Sequence, residues 1–174
     1  MKRAWMMALA VAAACGTGAQ HADEALHAAA GVGTDTSGTT GEVRILGVNG
    51  AAFSSLTMNV SAAEVRANGT VVTNAIVTSK VELANPNQAW LLSKFTIPSG
   101  VEKLEVTVSL EDGGAFVKSG KGGEIRAGCS VIKLSVPVSL LKLRGHVVLH
   151  LDLANSMVIK GEVAELVPNF AVHY

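Results

Sequence analysis

The chain has 174 residues, a length that suits one domain with accessory segments. Lys and Arg number 14 and Asp and Glu number 14, so no strong field favours nucleic acid or an acidic partner. Apolar residues make up 49% and aromatics only 4%, which leaves Val, Leu, Ile and Ala to build the core and favours strands over long helices.

The first segment has the form of an export signal. Met1-Lys2-Arg3 is a short cationic start, and Ala4 to Ala14 is apolar throughout, too short to span a bilayer. Cys15 follows directly on Ala12-Ala13-Ala14. This resembles a bacterial lipobox, with Ala12 where Leu is usual, and it predicts that Cys15 is lipidated and becomes the mature N-terminus. An ordinary secretory signal cleaved nearby is the alternative. Acyl chains such as palmitate on Cys15, at about 0.8 kcal/mol per buried CH₂, hold a protein at a membrane without a spanning helix. With Cys15 acylated, Cys129 has no partner in the chain and reads as a buried, inert thiol.

Residues 15–41 are rich in Gly, Ala, Thr and Ser and read as a flexible tether, with His21 and His27 as solvated linker residues. The predicted domain is 42–174. Val43 and Ile45 begin an alternating pattern, and Leu56, Met58, Val60 and Ala62 continue it. Val65 and Ala67 follow in the opposite phase, which predicts a bulge near Ala63. Asn68-Gly69 predicts a tight hairpin turn and a returning strand over Val71 to Val77. Pro86 to Leu92 predicts a short helix opening at Pro86. There Trp90 reads as a core plug beside Leu91 and Leu92, with a ligand-stacking platform as the alternative.

Leu104, Val106, Val108 and Leu110 alternate with polar residues as a half-buried strand, which Glu111 to Gly114 is expected to end. Lys118 to Gly123 reads as another polar turn. Ile132, Leu134, Val136, Val138 and Leu140 share one predicted face, with Pro137 marking an edge or a break. Val147, Leu149, Leu151 and Leu153 form the next face, and Asn155-Ser156 turns the chain toward Met157 to Val163. Leu166 to Val172 closes the domain. The expectation is an all-β fold, an antiparallel β-sandwich of about eight or nine strands with at most one short helix.

Leu56 through Gly69, Val81-Glu82-Leu83, Ile97-Pro98-Ser99-Gly100, Leu151-Asp152-Leu153 and Leu166-Val167-Pro168 occur in an order that resembles a known family. It is the bacterial lipoprotein domain of unknown function numbered forty-three eighty-two. The resemblance implies a lipid-anchored β domain of the cell envelope and no particular activity. The family often carries a second acidic residue where this chain has Ala154.

Chemical signatures are weak. On a strand His146, His150 and Asp152 share one face, but at about 3.3 Å per residue the two histidines stand roughly 13 Å apart, too far to share an ion. His150 and Asp152, about 6.6 Å apart along the strand, are the remaining candidate metal ligands if a neighbouring strand adds more. The alternative is a polar row in which Asp152 organises the Asn155-Ser156 turn. Gly120-Lys121 lacks the spacing and the Ser/Thr of a phosphate-binding loop, because Gly114 is one residue too distant and Gly122 follows the lysine. No G-x-S-x-G elbow occurs, Glu111 and Asp112 would point to opposite faces, and no calcium-loop spacing surrounds Asp112. The sequence therefore predicts no enzyme and no cofactor. It predicts an outer-membrane lipoprotein, anchored through Cys15 and facing the periplasm or the surface, that binds a glycan or a surface protein. A structural subunit assembled by strand addition and a metal-dependent enzyme are the alternatives.

Overall fold

The computed structural model describes residues 39–73, 75–128 and 130–174. Residues 1–14, expected to be a leader, lie outside the described residues, as do Cys15, His21, His27 and Cys129. The chain forms β1 (Thr40–Val48), β2 (Phe53–Ala67), β3 (Thr70–Thr73), β4 (Lys80–Glu82), β5 (Trp90–Thr96) and β6 (Lys103–Lys118). It continues with β7 (Lys121–Arg126), β8 (Ser130–Pro137), α1 (Val138–Arg144), β9 (His146–Asp152) and α2 (Leu153–Ser156). β10 (Met157–Lys160), β11 (Val163–Leu166) and β12 (Phe170–His173) complete it.

The architecture is an all-β sandwich of two sheets. The smaller has the order β12-β9-β1-β5, and the larger runs β10-β11-β7-β6-β2-β3, with β4 also on β2 and β8 also on β6. Most neighbours are antiparallel, but β1 lies parallel to β9 and β7 parallel to β11. The core lies between the sheets. Val43, Ile45, Leu92, Val147, Leu149 and Leu151 meet Leu56, Met58, Val65, Leu104, Val106 and Ile132, all fully or almost fully buried.

Alternation translated directly into burial. In β2, from Leu56 on, the buried positions are Leu56, Met58 and Val60 and then Ala63, Val65 and Ala67, and the register against β6 shifts between Val60 and Ala62. The predicted change of phase is thus a bulge next to Ala62. Asn68 and Gly69 take φ of 50° and 80°, and Ala67 pairs directly with Thr70, as a two-residue hairpin requires. Trp90 packs against the core and gives its indole N–H to the Glu82 carbonyl at 2.6 Å, as a plug with a satisfied polar end.

Several local expectations are corrected. Twelve strands and two short helices stand among the described residues, against an expected total of about eight or nine strands and at most one short helix. Residues 86–92 are not helical: Asn85 accepts from the Asn87 amide in a turn, and Trp90 starts a strand on β1 because Leu92 buries against the facing sheet. The strand from Leu104 does not end at Glu111. Thr57 pairs with Ala115 and Asn59 with Glu111, so β6 absorbs two extra residues in a bulge and runs on to Lys118. β8 does stop at Pro137, at the edge of its sheet. Val138 and Leu141, three apart, then bury as one helical face until Gly145, at φ 76°, ends the turn. Met157 to Val163 is a hairpin between β10 and β11, and β12 is separate from Leu166.

Two positions test this packing. A Cβ on Gly47 would collide with the Leu83 carbonyl oxygen, a backbone atom with no room to move. Gly47→Ala should lower the stability by roughly 3 kcal/mol or more in urea unfolding. Ser93 is fully buried, and its hydroxyl has no hydrogen-bond partner among the described residues. Ser93→Ala should therefore raise the stability by about 1 kcal/mol in the same assay.

Candidate functional site

β1 and β9 run in the same direction and end together, so the turns that follow Val48 and Asp152 gather at the end of the sandwich opposite Thr39. At nine residues, β1 separates the two ends by about 25–30 Å. The turn from β4 to β5 and the segment before β12 reach this same end, because β5 is antiparallel to β1 and β12 to β9.

Asp152 organises the cluster. One carboxylate oxygen accepts from the Asn49 amide at 2.9 Å and the Asn155 amide at 2.8 Å, and the other caps α2 through the Asn155 backbone N–H at 3.2 Å. The Asp152 backbone N–H donates to the Asn169 carbonyl at 2.8 Å, and Ser156 Oγ both donates to that carbonyl and accepts from the Asn169 N–H. One side chain therefore ties the β1–β2 turn to α2, and the backbone and Ser156 tie in the segment before β12.

Glu82 clamps the remaining loop. Its carboxylate accepts from the Leu56 and Ala84 N–H groups at 2.8 and 2.9 Å and from Ser55 Oγ at 2.8 Å. With Trp90 on the Glu82 carbonyl, both ends of the 83–89 loop are fastened to one residue. Asn49, Asn85, Asn87, Gln88, Asn155 and Asn169 are all exposed on this fixed end. Among the described residues every Phe, Trp and Tyr is buried or half-buried, so carboxamides and not aromatic rings are what the loops present.

The structure separates the two candidate metal ligands by engagement. Asp152 has both oxygens occupied by Asn49 and Asn155, the turn-organising role. His150 stacks on His173 of the neighbouring strand, with ring centres 3.8 Å apart and planes 19° apart. Burial, and then the charge of His173, lower the His150 pKa. Face-to-face rings direct their nitrogens side by side and not toward a common point, and no group of three or more His, Cys, Asp or Glu fit for a metal occurs among the described residues. His146 lies on the same outer face, four residues before His150.

Sequence reasoning reached Asp152 but not Glu82 or the carboxamides. They come from four separate stretches, and only the strand directions unite them. No family model matches the chain, and no curated protein or solved structure matches it either.

Burial pushes both carboxyl pKa values up, but the hydrogen bonds to Glu82 and to Asp152 together outweigh it and hold each below its ordinary value. Each carboxylate thus contributes stability that is complete above about pH 5 and declines as pH falls below about 4. Asp152→Ala should cost about 1–2 kcal/mol and Glu82→Ala about 2–3 kcal/mol at neutral pH, with a smaller loss at pH 3. Urea unfolding at the two pH values checks both figures, and losses that do not shrink in acid would contradict the hydrogen-bonding role.

Proposed function

We propose that the chain is a lipid-anchored cell-envelope protein that works by binding, with the carboxamide-bearing loop end as its contact surface and a glycan as its ligand. The reading of Cys15 as the lipid attachment point, on the outer membrane, rests on the short apolar leader and on Ala12-Ala13-Ala14 before the cysteine. The resemblance in spaced motifs to the lipoprotein domain of unknown function agrees with that placement.

The observation that carries the binding reading is the set of exposed carboxamides on loops fastened by Asp152 and Glu82. A carboxamide offers two donors and an acceptor, which match the vicinal hydroxyls of a sugar. Fastening the loops lowers the ordering cost of binding. The surface also stands at the end away from Thr39, where the chain that leads back to Cys15 joins the sandwich, and so faces away from an anchoring membrane. The reading assigns no catalytic residue and no cofactor.

Two experiments test it. Replacing Cys15 by Ala should release the protein from a membrane fraction washed at high salt, and retention through that wash would remove the anchor. A glycan array probed with the protein should give a ligand whose affinity falls about tenfold or more in the Asn87→Ala, Gln88→Ala double variant, at about 1 kcal/mol per lost hydrogen bond. An array without a ligand, alongside a protein crosslinked through the same loop, would replace the glycan by a surface protein.

A further inference from the structure

We infer that the opposite end of the sandwich is a second membrane contact, a small basic and apolar surface that rests on an anionic lipid bilayer. The inference takes its setting from the lipid-anchor reading, because an anchor at Cys15 would hold this end nearest the bilayer.

The geometry places α1 where the chain enters the fold. Gly145, which caps α1, accepts the Glu42 amide of β1 through its carbonyl at 3.0 Å. Thr39 is the first described residue, and Cys15 stands only 24 positions before it (39 minus 15). At this entry point Leu143 is 73% exposed, the most exposed of the large apolar side chains described. Lys142 and Arg144 flank it, and both are exposed.

The loop before β6 lies against α1, with the Val138 N–H on the Glu102 carbonyl at 2.8 Å. Between them is a depression of about 500 Å³ lined by Val101, Pro137 and Val138 together with Lys103 and Lys142, and with Glu102 as its one acidic group. Lys103, Lys142 and Arg144 take part in no ion pair among the described residues, which is also true of Lys80, Lys118, Lys121 and Lys133, but only the first three stand around an exposed leucine and an apolar depression. Unpaired cations around an exposed leucine are the composition of an interfacial membrane contact, in which the apolar side chain enters the headgroup boundary and the cations meet lipid phosphates. The anchor raises the effective concentration of this surface at the bilayer, so a weak contact is enough to orient the domain.

The test is vesicle flotation of the chain produced from Gly16 onward, which lacks the acylated cysteine and keeps every core residue from Val43 to Leu166. It should float with phosphatidylglycerol vesicles at low salt, not with phosphatidylcholine vesicles, and should be released by high salt. Lys142→Glu with Arg144→Glu should lower the partition by about 25-fold or more, at about fivefold per cation lost and with two anions added. Leu143→Asp should lower it by a further measurable factor, with unchanged circular dichroism in each variant. Lys118→Glu with Lys121→Glu, at the far end of β6, should leave it within about twofold. Failure to float with phosphatidylglycerol, equal flotation with both lipids, or equal losses in the two charge-reversal pairs would overturn the inference. The intact mass of the membrane-extracted chain reads acylation of Cys15 separately, so failure of the anchor and failure of the docking surface are told apart.

Discussion

The pairing of β2 with β6 is the constraint on which the rest of the molecule depends. These two strands run side by side from Phe53 opposite Lys118 to Arg66 opposite Glu105. Each is long enough to carry two short strands on its outer edge: β3 and β4 on β2, and β7 and β8 on β6. The bulges in the pair keep apolar side chains facing inward along a length that twist would otherwise turn away from the core. Removing the pair would leave the larger sheet as separate hairpins, and the smaller sheet without a surface to cover.

The same bulges explain how a chain so poor in aromatics closes a core. Leu, Ile and Val fill the space between sheets only if every inward position is used, and the phase change near Ala62 recovers Ala63, Val65 and Ala67. At the bulge in β1 against β5, Leu92 and Ser93 are both buried. Leu92 adds to the core, whereas Ser93 brings in a hydroxyl with no partner. Burial is driven by the whole face, and a single polar atom is carried along with it.

Alternation made β1, β2, the first half of β6 and β9 legible, because a half-buried strand writes its geometry into every second residue. The rest was hidden for definite reasons. Val136 and Val138 continue a strand pattern in sequence, but Pro137 interrupts the ladder, and Leu141 and Gly145 suit a single helical turn better than an extended edge. Residues 86–92 contain a helix-opening proline, yet Leu91 and Trp90 take their conformation from Arg44 and Ile45, partners far away in sequence. At the candidate site, the bond of Asp152 to Asn155 was legible because it is local. Its bond to Asn49, and the clamp of Glu82 on Leu56, join residues far apart and leave no spacing to read.

The central place of β1 has a consequence for the life of the chain. The first strand described, β1, sits between β5 and β9, where Glu42 pairs with Lys94 on one side and with His146 on the other. During synthesis β1 meets β5 once about half of the polypeptide exists but β9 only when most of it does, and contacts of such long sequence separation form slowly. The smaller sheet, whose inner strand β1 needs β9 on one side, is therefore completed late, after its hairpin-built partner sheet has most of its strands.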